Sequence, residues 1–232
     1  MVTYLAVTTA ELPCAGADKL SYMACHFSLY GTGLSNLPQA LPTGSMLILN
    51  DQIPISGHDP HRIADQLISA IGHLQCDSLL LDLQRPGNEE TDQLCRLLSK
   101  EITCPLGISH HYAKDLDCAV FLPPPPLDMP LTEYLKPWQG RRLWLEAALD
   151  AEEYSITTAG CQVNPLPYES SQTETFIEEL LHCRYRCEML ENKIRFSLYR
   201  TADQLEALLQ EADALGIEKA IGLYQQLHGV PI

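Results

Sequence analysis

Two carboxylates in this chain stand where carboxylates are costly. Asp82 interrupts the apolar run 79–83, and Glu146 interrupts Leu143-Trp144-Leu145-Glu146-Ala147. An ionised acid inside a buried run must be paired or must face a polar site. Two such acids in one site could divide the work of proton transfer, one donating and one accepting. Gln84 and Arg85 follow Asp82 directly. On a strand, side chains alternate, so Leu80, Asp82 and Gln84 share one face while Leu79, Leu81 and Leu83 share the other. Arg85 could neutralise Asp82 or Glu146 instead of touching a ligand. Glu146 could equally be spent in an ion pair with Arg85 or Arg142.

Metal and cofactor chemistry find less support. His110 and His111 are adjacent, and neighbours on a strand point to opposite faces, so no metal site is expected there. Nine cysteines lie at 14, 25, 76, 95, 104, 118, 161, 183 and 187. The count is odd and no CxxC pair occurs, which indicates neither a disulfide framework nor a zinc ribbon. Structural thiols in a reducing cytosol are the expectation. Gly31-Thr32-Gly33 is only a fragment of a phosphate-binding loop, and no cofactor is expected.

The elements that must position these residues can be read from periodicity. Apolar runs predict strands at 22–29, 46–49, 79–83, 105–108, 118–122, 142–147, 154–157 and 219–223, with 3–7 as a spare at the bottom or edge. Ile63, Leu67, Ile68, Ile71 and Leu74 form one helical stripe that starts at Asp59-Pro60. A second helix begins near Asn88. A weak one covers 131–135, and a last one through Leu205, Leu208, Leu209 and Ala212 stops at Gly216. Alternating strands and helices argue for a parallel sheet with helical crossovers. Eight strands in 232 residues suit a single α/β domain over 1–232, a compact (β/α)8 TIM-like barrel. Runs 185–190 and 194–199 predict a β-hairpin inserted before the last helix. Pro123 to Pro126 predict a rigid polyproline rim segment. In such a barrel the loops after the strands build the site. The polar residues there are His26, Asn50, Asp51, Asp82, Gln84, Arg85, Ser109, His110, Glu146, Thr157, Tyr224 and Gln225.

The stretch Asp77-Ser78-Leu79-Leu80-Leu81-Asp82-Leu83-Gln84 resembles the catalytic strand of family-18 glycoside hydrolases, the chitinase-like enzymes. Their pattern is Asp-x-x-Asp-x-Asp-x-Glu, often relaxed to Asp-Gly-x-x-x-Asp-x-Glu. Asp77 matches the first acid and Asp82 the last Asp. Leu80 replaces the middle Asp, and Gln84 stands where the family carries its catalytic Glu. The segment from Arg200 to Gly229 also looks like the end of those barrels, with Tyr224 and Gln225 where the family often has Trp. A hairpin before the final helix fits the same resemblance. The family's substrate-assisted route implies a Glu that protonates the leaving oxygen and an Asp, two residues earlier, that orients the acetamido group. A Gln can donate a hydrogen bond but cannot transfer that proton, a loss of roughly 10²–10⁴-fold. The resemblance therefore implies a barrel impaired in this reaction that binds a small sugar. The alternatives are a hydrolase using Asp82 and Glu146, or a TIM-barrel enzyme unrelated to sugars. A phosphodiester hydrolase of that kind would want a Glu-x-Asp strand and an N-terminal His-Arg-Gly, and both are absent.

The formal charge of −15 repels nucleic acid and anionic membranes. A small neutral carbohydrate is the expected partner, with Gln84, Asn50 and Gln225 supplying donors and acceptors, Arg85 and His110 at the rim, and Tyr224 stacking on a sugar face. The N-terminus lacks a basic lead and a long apolar core, and no window nears ~18 apolar residues, so a cytoplasmic protein is expected.

Overall fold

The computed structural model describes residues 1–16, 19–167 and 175–230. Eight parallel strands close into a barrel: β1 Val2–Val7, β2 Leu20–Phe27, β4 Met46–Asn50, β5 Ser78–Asp82, β6 Leu106–Ser109, β7 Ala119–Leu122, β8 Leu143–Ala147 and β14 Lys219–Leu223. β1 lies between β14 and β2, pairing Val2 with Lys219 and Leu5 with Leu20. A two-residue strand, β3 Leu34–Ser35, adds antiparallel to β2. Crossovers are carried by α1 Pro60–Leu74, α2 Glu89–Glu101, α3 His110–Ala113, α4 Leu131–Leu135 and α5 Ala202–Ala214, and a last turn of helix, α6 Tyr224–Leu227, follows β14. No helix among the described residues is long and apolar enough to cross a membrane.

Local chemistry explains the helix boundaries. The Asp59 carboxylate accepts from the His61 amide at 3.0 Å, and Pro60 opens the first turn of α1. Asn88 does the same for α2, accepting from Thr91 N at 2.8 Å. After α5, Gly216 takes φ +84°, a left-handed conformation that ends the helix.

The barrel has two apolar layers. Tyr4, Ala6, Met46, Ile48, Leu80, Phe121, Trp144 and Ile221 fill the interior. Leu47, Leu49, Leu79, Leu81 and Leu83 pack outward with the helices. The alternation along 79–84 is therefore realised as the pleat demands. Gly107 is required: a Cβ there would lie 2.2 Å from the Trp144 ring. At the N-terminal end Asp77 closes the barrel. It accepts from Tyr4 Oη at 2.9 Å, Ser78 Oγ at 2.7 Å and Lys19 Nζ at 3.1 Å, with Lys219 Nζ 3.7 Å away. Lys219 also sits over the Tyr4 and Trp144 rings.

Two strand assignments exchange places with expectation. The spare run at 3–7 is barrel strand β1. The run at 154–157 instead belongs to β9 Ala151–Thr157, in a separate antiparallel sheet. Tyr-Ser-Ile-Thr alternates in polarity, the pattern of a half-exposed antiparallel strand and not of one buried on both faces. The expected hairpin is present as β12 Cys183–Leu190 and β13 Lys193–Tyr199, joined at Glu191-Asn192. It is the middle of a larger insertion. With β9, β10 Gly160–Pro165 and β11 Phe176–Glu178 it forms a five-stranded sheet, ordered β10-β9-β13-β12-β11, between β8 and α5.

The polyproline segment fastens this insertion. Prolines donate no backbone hydrogen bond but keep their carbonyls. Pro125 O accepts from Arg200, a fully buried guanidinium, at 2.9 Å, and Pro123 O accepts from Tyr134 Oη at 2.9 Å. Asp150 lies 3.7 Å from the same guanidinium.

Candidate functional site

A cavity of about 380 Å³ opens at the C-terminal end of the barrel strands. Its floor is apolar, made by Ala6, Met23, Ile48, Leu80, Phe121, Ile221 and Leu223. Its polar groups are Asn50, Asp51, Gln52, Asp82, Gln84, Arg85 and Glu146. A small set of polar groups over an apolar floor is the usual make-up of a ligand site.

Each polar group has a traceable reason for its position. Asp82 ends β5 beside Asn50 of β4, its register partner. Glu146 is on β8, opposite Ile221 of β14 and on the inward face with Trp144. The loop after β5 is held by Asp51, whose buried carboxylate accepts from the amides of Gln84 at 2.9 Å and Arg85 at 2.8 Å. Arg85 returns the contact, with Nε donating to Asp51 O and a terminal nitrogen to Gln52 O, both at 2.6 Å. Ser109 Oγ accepts from Leu83 N at 2.9 Å, and Tyr112 Oη donates to Arg85 O at 2.6 Å. On this braced loop the Gln84 amide donates to Asp82 Oδ1 at 2.5 Å.

Neither expected ion pair of Glu146 forms. Arg142 is at the other end of β8 and pairs with Asp117 at 3.2 Å, while Arg85 is committed to backbone carbonyls. Among the described residues Asp82 and Glu146 have no ion-pair partner, and every Lys and Arg of the chain is described. Burial, then the Asp82 charge, then Asp150, push the Glu146 carboxyl up to about 7. Burial also raises Asp82, and the Gln84 hydrogen bond opposes that rise. Near neutrality the cavity thus holds one carboxyl, Glu146, that can give up a proton, beside a second acid, Asp82, that burial also raises. A carboxyl poised near neutrality is what a general acid requires.

Other predicted site residues lie elsewhere. Asn50 lines the cavity but spends its amide on Met23 O at 2.7 Å and its oxygen on Gln52 N at 3.1 Å. His110 starts α3 and meets Trp138 edge-on, with ring centres 6.0 Å apart, outside the cavity. Tyr224 and Gln225 also fall outside it, because the chain turns into α6 at Tyr224 and carries Tyr224 onto His228, 4.9 Å between ring centres. Thr157 is carried off on the inserted sheet. His26 is occupied by Phe27 O and the Asn36 amide. No cluster of His, Cys, Asp and Glu suited to a metal occurs among the described residues. Sequence reasoning missed Phe121 as part of the floor. Its signal was available, since Ala119 and Phe121 share the inward parity of β7.

No family model matches the chain, and no curated protein sequence matches it. Solved structures do. The spore cortex-lytic enzyme SleL of Bacillus cereus superposes with TM-score 0.61 at 10% identity, over 100% of this chain and 71% of that one. A chitinase from Chromobacterium violaceum gives TM-score 0.59 at 7% identity, over 95% and 93%. The Bacillus megaterium SleL gives 0.53 at 10% identity, over 95% and 70%. The barrel is shared with a chitinase and with spore cortex-lytic enzymes. At these identities the likeness is one of fold, and the chemistry rests on the cavity's own residues.

Proposed function

We propose that this protein is a glycoside-hydrolase-like barrel that binds a small sugar or glycan fragment in the mouth cavity and is impaired in the family-18 reaction. The observation that carries the reading is the pair Asp82–Gln84. The two side chains stand together in the cavity, over an apolar floor, with an amide where the family's route needs a proton donor. Gln84 and Asp82 can bind hydroxyl and amide groups of a sugar, and Phe121 and Leu80 offer its C–H faces an apolar surface. A small neutral or cationic carbohydrate suits a chain of charge −15 better than a polyanion does.

A second reading has a specific observation behind it. Glu146, with its carboxyl at about 7 and no cation beside it, could act as the general acid with Asp82 as its partner. Turnover of chromogenic N-acetylglucosamine oligomers separates the two. The expected result is no significant hydrolysis by the native protein, with ligand-dependent stabilisation by millimolar sugars in thermal unfolding. Hydrolysis in a Gln84→Glu variant would support the family-18 ancestry of the site. Native hydrolysis that falls away above about pH 7 and disappears in Glu146→Gln would replace binding with catalysis by Glu146.

A further inference from the structure

We propose that, among sugars small enough for the cavity, this site selects those carrying a free ammonium group, held between the Asp82 and Glu146 carboxylates. The inference rests on the sugar-binding reading above and assigns the ligand's charge. Three acids, Asp51, Asp82 and Glu146, face the cavity with a single base, Arg85. Asp51 is satisfied, with its two oxygens taken by the amides of Gln84 and Arg85. Arg85 is satisfied too, its guanidinium donating to the carbonyls of Asp51 and Gln52 at 2.6 Å each. Neither is free to answer the other two acids. Asp82 has only the neutral Gln84 amide, and Glu146 has no side-chain hydrogen bond or ion pair among the described residues.

No other Lys or Arg can be brought in from this chain, and the one further base near Asp82 is His111, which lies outside the cavity lining. Its 15 Lys and Arg are all described, and none besides Arg85 faces the cavity. The floor beneath the acids is alkyl and aromatic, so a charge there is poorly solvated on that side and a counter-charge interacts strongly. A ligand ammonium supplies what the protein omits. A sugar hydroxyl at the same place would also donate a charge-assisted bond to a carboxylate, but an ammonium adds the attraction between opposite charges, which counts for more where water is partly excluded. A preference of about tenfold is the expected scale.

The test is calorimetric titration of the full chain at neutral pH with three probes of one ring size: the methyl glycosides of glucosamine, glucose and N-acetylglucosamine. The glucosamine derivative should bind about tenfold more tightly than the glucose derivative. That ratio should shrink toward one in Glu146→Gln and in Asp82→Asn, with circular dichroism confirming that both variants fold. Equal or weaker binding of the amine overturns the inference and leaves sugar binding standing. A preference that survives in both variants also overturns it, because the amine would then be answering the chain's general negative charge. Failure of all three probes to bind removes the sugar-binding reading and the inference with it.

Discussion

Asp77, just before β5, and Asp82, at its end, are five positions apart and have opposite fates. Asp77, at the N-terminal end, is enclosed by Tyr4, Ser78, Lys19 and Lys219, and those hydrogen bonds and charges hold its carboxyl below the usual range despite partial burial. Asp82, at the C-terminal end, has the Gln84 amide as its one hydrogen-bonded side-chain partner, and burial raises it despite the nearby Ser109 and His111. The same residue type is a closing plug at one end and an unanswered charge at the other. The bottom of this barrel is arranged for stability. The top keeps charges that weaken the fold, which is where a barrel places its chemistry.

The sharpest way to break that contrast is to neutralise the top. The Glu146 carboxyl titrates near 7 when folded and near 4.5 when unfolded, so the folded state binds the extra proton between those values. Stability from this group is full below about pH 4.5 and is lost as pH rises through about 7. Glu146→Gln should therefore stabilise the protein by about 3 kcal/mol at pH 8 and by little at pH 4.5, read from urea midpoints. An equal effect at both values would show that Glu146 is not a strained acid. The converse change at the bottom, Asp77→Ala, leaves the Lys219 ammonium, 12% exposed, without its counter-charge and the Tyr4 hydroxyl without its acceptor. Allowing for Asp77's own partial exposure, the loss should be about 2 kcal/mol at pH 7. The lowered carboxyl contributes above its unfolded value, so the gap between wild type and variant should close as pH falls through the folded one. A gap that persists in acid would point to packing as its source. The smallest effect belongs to Tyr224→Ala. Its ring is outside the cavity, so the affinity for any sugar that binds should change less than about twofold by titration. A tenfold loss would put Tyr224 back in the site.

Much of the barrel was legible in the chain because its signals are local. Asp59-Pro60 and Asn88 mark helix starts by chemistry that needs no partner from elsewhere. The alternation of Leu79 to Gln84 states which side chains face inward. Two kinds of information were not local. Whether a short apolar run such as 3–7 becomes a barrel strand depends on the two strands that flank it, and one of those, β14, is at the far end of the chain. The site was legible where residues sit within strands, as with Asp82, Gln84 and Glu146. It was not legible where a strand's last residue decides direction: Leu223 ends β14, the next residues coil into α6, and Tyr224 leaves the mouth. Arg85's engagement with backbone carbonyls was also invisible, because main-chain acceptors carry no residue signature.

The closing pair of strands has a consequence for how this molecule comes to exist. Tyr4 on the first strand and Lys219 on the last are hydrogen-bonded across 215 positions of sequence. Contacts of that range are the slow ones in folding, since a long loop must close before they form. The inserted sheet is made largely of neighbouring strands, so it can assemble while the barrel is still an open, curved sheet. Until β14 arrives, β1 and β8 each present an unpaired apolar edge, the kind that invites association with other chains. The order of synthesis thus makes the final strand both the last piece of the wall and the step that ends the molecule's exposure to aggregation.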